Sequence, residues 1–321
     1  MKKSINKSTF SDSLVLKRQT GNFVFSVFKW ALTIGLLYLF LFPILYMLLT
    51  AFQAPESASD PTVVWIPRQL SLDGFKGAFD LLNFWRSSFE TLIITIFSTI
   101  AMLISCSMAG YGLARYNFPG KSLSLGLAIL IILIPPQLLH PSTYVMYRFF
   151  DFSGLLSLSG VSFNLLNTPW TFILPSIFGV GLRGGLFIYL FRQFFLGLPY
   201  ELEESAKLDG CGHFRTFVII MAPLAKPAFV TVILFSMVWH WNDYYNASTY
   251  YTMDLKPLIV MLSRLGNMLR SNGILPVDGD AFSIRMYLQA GATLCIAPPM
   301  LVYIFAQKQF VESIERTGLV G

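Results

Sequence analysis

The side chains that most often carry out chemistry are sparse in this chain and do not converge. The three histidines, His140, His213 and His240, are scattered, and no His-x-x-x-His or paired-cysteine spacing offers a metal its ligands. Cys106 and Cys295 fall inside apolar runs and Cys211 in a polar stretch. They read as small buried hydrophobes rather than as a disulfide framework. No Ser, His and Asp stand at a hydrolase spacing, and no Gly-x-x-x-x-Gly-Lys-Ser/Thr loop is present to cradle phosphates. The chain therefore does not read as an enzyme, is expected to bind no metal or cofactor, and cannot hydrolyse ATP alone. Two other constellations stand out. One is the acidic run Glu201, Glu203 and Glu204, followed by Ser205, Ala206 and the pair Asp209-Gly210. The other is a set of polar and aromatic residues in or beside apolar runs: Arg183, Trp239, Trp241, Asn242 and Arg285.

The elements that position these groups follow from composition. Hydrophobic residues make up 55% of 321 positions and charged residues 12%, about half the charged share of a soluble domain. Lipid needs no charged shell, so the chain reads as an integral membrane protein. A hydrocarbon core about 30 Å thick takes roughly 20 apolar residues in a helix. Candidate spans lie at about 30–52, 91–114, 123–139, 170–191, 227–241 and 286–306. The expected fold is all-α, a polytopic bundle of about six membrane helices forming one domain over 30–306. Pro135-Pro136 should end or kink the third span, and Pro298-Pro299 lie within the sixth. Prolines at such depth imply helices packed against one another, not isolated anchors. The first span follows about thirty mostly polar residues and no cleavage site follows it, so it reads as an anchor that is retained.

Charge sets the orientation. Segment 1–29 carries Lys2, Lys3, Lys7, Lys17, Arg18 and Lys29 against Asp12, which predicts a cytoplasmic N-terminus. An even number of spans then puts the tail, 307–321, inside as well. The inner segments gain Arg115, Lys121, Arg192, Lys207, Arg215, Lys226, Lys308 and Arg316. They hold twice as many basic residues as the outer loops, 53–90, 140–168 and 243–282. The net charge of +6 is thus spread as topology signals, not as a groove for nucleic acid.

The inner loop 192–226 looks structured. Pro199 can open a short helix, the three glutamates complement the positive end of its dipole, and Asp209-Gly210 reads as its stop. Phe214, Phe217 and Val218 give a second short helix an apolar stripe, and Pro223 closes it. A helix–turn–helix lying on the inner side of a bundle suits docking into another protein's cleft.

This stretch resembles the EAA loop of the permease subunits of bacterial ATP-binding-cassette importers: Glu-Ala-Ala, three residues, Gly, nine residues, Ile-x-Leu-Pro. Glu204, Ser205 and Ala206 match the first three positions, Gly210 and Ile220 keep the spacing, and Pro223 closes the motif. Ser205 stands for Ala, and Ala222 for Leu. The likeness extends to the carbohydrate-type permeases, a group that includes the smaller membrane subunit of the maltose importer. It is carried by Tyr111-Gly112-Leu113-Ala114-Arg115 with Phe118-Pro119-Gly120, by Arg192-Gln193-Phe194-Phe195, by Trp241-Asn242-Asp243, and by the Gln307–Gly321 tail. The terminal Gly318-Leu319-Val320-Gly321 lacks the lysine usual there.

The resemblance implies a type I importer fold in the plasma or inner membrane. It implies a second, homologous permease subunit, two ATPase subunits that use ATP and Mg, and an extracellular solute-binding protein that delivers a sugar or oligosaccharide. Glu203, Glu204, Ser205, Ala206, Asp209, Gly210 and Pro223 would form the coupling to the ATPase, with Glu204 its charged contact and Gly210 its turn. A charge at mid-span costs at least about 2.5 kcal/mol, so Arg183 should face the bundle interior or water. It can line the path, or satisfy backbone carbonyls. The Trp239, Trp241 and Asn242 cluster can stack on a sugar or form an interfacial belt. Glycerol phosphate and peptides are the alternative solutes. A gradient-driven transporter should show inverted repeats and paired membrane acids instead, and no acid lies at a span's centre.

Overall fold

A computed structural model describes residues 7–54, 67, 69–151, 163–253, 256–274 and 281–318. Lys2 and Lys3, the terminal Leu319-Val320-Gly321 and parts of each of the three outer loops lie outside the described residues.

Three helices among the described residues are long and apolar enough to cross a bilayer unbroken. They are Asn22–Ala51 of α1 (Lys7–Ala51), α3 (Phe84–Arg115) and Ile284–Lys308 of α13 (Ala281–Gly318). A short α2 (Asp73–Leu81) precedes α3. The third expected span is α4 (Lys121–Leu133), then a 3-10 turn at Pro136–Leu139 and α5 (His140–Arg148), with a bend of 97°. Pro135 and Pro136 supply no N–H to the helix, and Ile134 before them is extended, as a residue preceding proline prefers.

The fourth expected span, 170–191, is not one helix but two. α6 (Trp170–Ile177) stops, the chain turns at Gly179 with φ +70 and Arg183 with φ +62, and α7 (Gly184–Leu196) resumes. Hydropathy alone does not place this break, because apart from Arg183 the turn residues are as apolar or small as the helices around them.

After α8 (Glu201–Leu208), α9 (His213–Leu224) meets α10 (Lys226–Trp241) at 78°. A π-turn over Phe217–Met221 lies just before Pro223, whose ring cannot sit over an ordinary α-helical carbonyl. α11 (Tyr244–Tyr250) and α12 (Leu258–Ser271) follow, so the long outer loop is itself helical. The architecture is the all-α polytopic bundle expected, with its spans interrupted where proline, glycine or Arg183 interrupts the backbone.

α3 is the central column, packed along α7 and α10, while α13 packs on α1, α10 and α12. One core joins Met102 and Cys106 of α3 to Phe187, Phe191 and Phe195 of α7 and to Met221 and Val232. A second gathers Leu82, Trp241, Leu258, Leu265 and Ala290. A third, at the ends of the bundle remote from α8, holds Tyr147, Phe172, Tyr250 and Val260. The buried face of α3 is small and polar: Ser87, Thr91, Thr95, Ser98, Thr99 and Ser107. Two of these tie helices together, through Thr99 Oγ1 and Ser236 Oγ at 3.0 Å and the Leu258 N–H donated to Thr91 Oγ1 at 2.9 Å. Small residues permit close approach where there is no hydrophobic drive between helices in lipid. Gly110 lets α3 touch the α7 backbone: a Cβ there would meet Phe191 Cβ at 2.6 Å and Arg192 N at 2.9 Å. By contrast, the apolar part of α1 is exposed along nearly all its length, and packs only near its end at Ala51.

Candidate functional site

Two regions carry the candidate residues. The first is α8 with the turn after it. The Glu203 and Glu204 N–H groups bond to Tyr200 O at 3.0 and 3.2 Å, which starts the helix. Its end is a Schellman closure: Gly210 donates to Lys207 O at 3.0 Å and Cys211 to Ala206 O at 2.9 Å, with Gly210 at φ +76. Three residues apart, Glu203 and Ala206 share one face and are buried, whereas Glu204, Ser205, Leu208, Asp209 and Gly210 are exposed.

Glu203 is held by Arg115, the last residue of α3. Arg115 Nε lies 3.1 Å from Glu203 Oε1, and the two side chains are 0% and 4% exposed. Arg115 Nη2 donates to Leu198 O at 2.6 Å, and the guanidinium lies 4.4 Å from the Tyr200 ring centroid. The carboxylate contact is an ion pair without hydrogen-bond geometry, so Arg115 Nε and Nη1 and Glu203 Oε1 have no hydrogen-bond partner. One arginine thus pins the entry and the inner face of α8 to the central column. The sequence names Arg115 and Glu203 in separate motifs. The signal available was that both motifs carry a charge beside an apolar run, but sequence gives no distance between them.

The outward face is different in kind. Leu208 is 89% exposed and Phe214 67%, and Val218, Ile219 and Pro223 are exposed beyond them on α9. The acidic groups Glu204 and Asp209 flank this apolar ridge. A face of this composition matches the core-and-rim pattern of a protein interface.

The second region is a cavity of about 430 Å³ opened by the breaks in the third and fourth spans. Pro135, Gln137, His140, Thr143, Arg183 and Tyr250 are among its lining residues. Asn246 donates from Nδ2 to Asp243 Oδ2 at 2.6 Å, which turns its amide oxygen to His140 Nε2 at 3.0 Å. Tyr250 donates to Thr143 Oγ1 at 2.7 Å, since the threonine hydroxyl proton is used on the Leu139 and His140 carbonyls. Asp243 also caps α11 through the Asn246 N–H at 3.2 Å. Burial pushes its carboxyl above the usual range, against the opposing hydrogen bonds from Asn246.

Arg183 is exposed and is one of the residues lining this cavity, with its guanidinium 5.2 Å from the Trp239 ring. Trp239 in turn stacks on Phe187 at 5.5 Å and Phe235 at 5.3 Å. The other three residues picked out with them lie elsewhere. Trp241 is buried and donates from Nε1 to Cys295 O at 3.0 Å, joining α10 to α13. Asn242 donates to Val238 O at 2.9 Å and ends α10. Arg285 donates to Tyr46 OH at 3.1 Å and links α13 to α1. Among the described residues no group of three or more His, Cys, Asp and Glu side chains could hold a metal ion.

Known proteins share this chain's sequence and fold. It is 29% identical, over 92% of its own length and 98% of the relative's, to the arabinooligosaccharides transport system permease protein AraQ of Bacillus subtilis (strain 168). It is 27% identical, over 90% of its length and 93% of the relative's, to the maltodextrin transport system permease protein MalD of Streptococcus pneumoniae. Its fold is similar to one chain of a crystal structure of a bacterial ABC transporter involved in the import of the acidic polysaccharide alginate. There the TM-score is 0.69 at 20% identity, over 90% of this chain and 98% of that one. Residues 101–316, which contain both regions described above, match the family of the binding-protein-dependent transport system inner membrane component, and to that family this chain belongs.

Proposed function

We propose that this chain is the permease subunit of an ATP-driven importer of sugars or oligosaccharides. An extracellular binding protein delivers the solute, a second homologous permease completes the path, and two partner ATPases use ATP and Mg. The relatives named above, transporters of arabinooligosaccharides and maltodextrin, support the solute class. The bias of basic residues toward segments 1–29, 115–122, 192–226 and 307–321 supports cytoplasmic termini, a topology in which α8 and α9 face the cytoplasm.

The observation that carries the reading is the division of α8 into two faces. Glu203 and Ala206 fasten it to the bundle, and Glu204, Ser205, Leu208 and Asp209 are left facing outward beside Phe214. On this reading the ATPase cleft takes the outward face, with Glu204 as its charged contact. Gly210 shapes the turn, and Pro223 sets the bend into α10. Because Arg115 ties α8 to α3, closure of the ATPases moves the helix and the central column as one body.

The test is co-purification in mild detergent of the tagged chain with its ATPase, for the wild type and for Glu204→Arg and Gly210→Pro. The wild type retains the ATPase, and each variant loses it by at least about tenfold, as for a charge reversal or a backbone break inside an interface. Purification of the wild type with no ATPase overturns the reading.

A further inference from the structure

The cavity between the broken third and fourth spans has an unbalanced charge. Arg183 is among its lining residues and carries a guanidinium that cannot shed its proton. Among the described residues no Asp or Glu lines the cavity and Arg183 forms no ion pair. Asp243, the nearest carboxylate to the network, is buried behind Asn246 and occupied by it. The positive end of α7, which begins at the next residue, adds to the same sign. The backbone also marks the place. Arg183 takes a left-handed conformation, φ +62, uncommon for a residue with a side chain and kept only where the surroundings enforce it. Trp239 flanks the guanidinium, itself clamped between Phe187 and Phe235.

A cation fixed in this way inside a membrane bundle calls for an anion. The rest of the lining fits a sugar. Gln137 presents its amide. His140, Thr143 and Tyr250 form a wall whose polar groups are bonded to one another and to Asn246 and Thr249, and the volume of about 430 Å³ lies in the range of small-molecule sites.

We propose that this cavity is a solute subsite for a carboxylate-bearing oligosaccharide, in which Arg183 pairs with the sugar carboxylate while the Gln137 amide meets its hydroxyls. The proposal rests on the importer reading above and narrows its substrate class to acidic sugars, selected in part by this chain.

The experiment uses the complete importer with its binding protein in proteoliposomes. It follows uptake of labelled tetragalacturonate and of its carboxyl-reduced, neutral counterpart, with binding-protein-stimulated ATPase activity as a second readout. Three forms are compared: wild type, Arg183→Lys, and Arg183→Asn, chosen because asparagine tolerates the left-handed backbone. The wild type should favour the acidic sugar by about tenfold or more, the value of one charged hydrogen bond. Lys should keep most of that preference, and Asn should lose it while still importing the neutral sugar. Equal uptake of both sugars by the wild type, preference for the neutral one, or equal loss of both in Arg183→Asn overturns the acidic subsite and leaves a sugar importer. Loss of the second permease from the Arg183→Asn complex also overturns it, since the cation would then belong to an interface. If neither sugar stimulates ATPase activity or enters, the acidic subsite is overturned, and the importer reading is overturned only if no ATPase co-purifies with the wild type.

Discussion

At the scale of single residues, a buried ion pair holds α8 to the central column and a glycine sets how closely α3 and α7 approach. The pair between Arg115 and Glu203 is almost fully shielded from solvent, so removing one partner strands a buried charge. Such a loss costs about 3–5 kcal/mol, whereas replacing both partners with apolar residues costs far less. Glu203→Leu should therefore lower the thermal unfolding midpoint of the detergent-solubilised chain well below that of Arg115→Leu/Glu203→Leu, and a double-mutant cycle would report the coupling. Equal midpoints for the single and double variants would contradict the strut. Gly110 gives a second contrast. An added Cβ would press on Phe191 Cβ and on the Arg192 backbone nitrogen, which cannot move aside, but at Gly112 it would meet nothing within 4 Å. Gly110→Ala should destabilise the bundle, and Gly112→Ala should leave it within about 0.5 kcal/mol of wild type, as for a surface change. The sequence showed which residues carry charge in α8 and at the end of α3. It did not show that Glu203 turns inward and Glu204 outward, because neighbouring residues on a helix differ in direction by about 100° and nothing local says which way the bundle lies.

At the scale of elements, the interruptions matter more than the helices. The α8 stop was legible because Asp-Gly after an amphipathic turn is a known helix end, and Gly210 takes the left-handed backbone with a Schellman closure. Gly210→Ala should cost about 1–2 kcal/mol through that conformation alone, with open space around the added methyl. Gly212, at φ −71, is an internal control. Gly210→Ala is expected to weaken ATPase retention severalfold and Gly212→Ala to leave it unchanged, measured by the same co-purification. Equal retention would mean that the turn's shape does not set the docking face. The kink of the third span was legible from Pro135-Pro136. The break in the fourth was legible only in part: the Gly184-Gly185 pair beside Arg183 marked it, but the left-handed conformations of Gly179 and Arg183 are ones that residue type permits and does not demand. That break, together with the proline kink, opens the cavity. The subsite geometry was thus the least readable part of the chain, although Arg183 itself stood out as a charge in an apolar run.

At the scale of the whole molecule, the exposed apolar length of α1 and the uncovered ridge of Leu208 and Phe214 call for different partners. The first is continuous, helical and uncharged after Lys29, which suits lipid or a sibling permease. The second is short, flanked by Glu204 and Asp209, and lies beyond the end of α3, which suits an aqueous protein partner. This division requires α8 to lie on one defined side of the membrane, and the chain carries a native reporter for that side. Cys106 and Cys295 are buried, whereas Cys211, in the turn after Gly210, is free and partly exposed. The thiolate is the species that reacts with a maleimide, so access decides labelling. A membrane-impermeant maleimide should modify the chain in inside-out vesicles depleted of ATPase and leave it unmodified in intact cells. Cys211→Ser should abolish the signal, which identifies the site. Re-binding of the ATPase should slow the labelling if the neighbouring ridge is its dock. Labelling from the outside of intact cells would invert the topology, place the acidic face of α8 away from any source of ATP, and remove the basis for reading it as the coupling element.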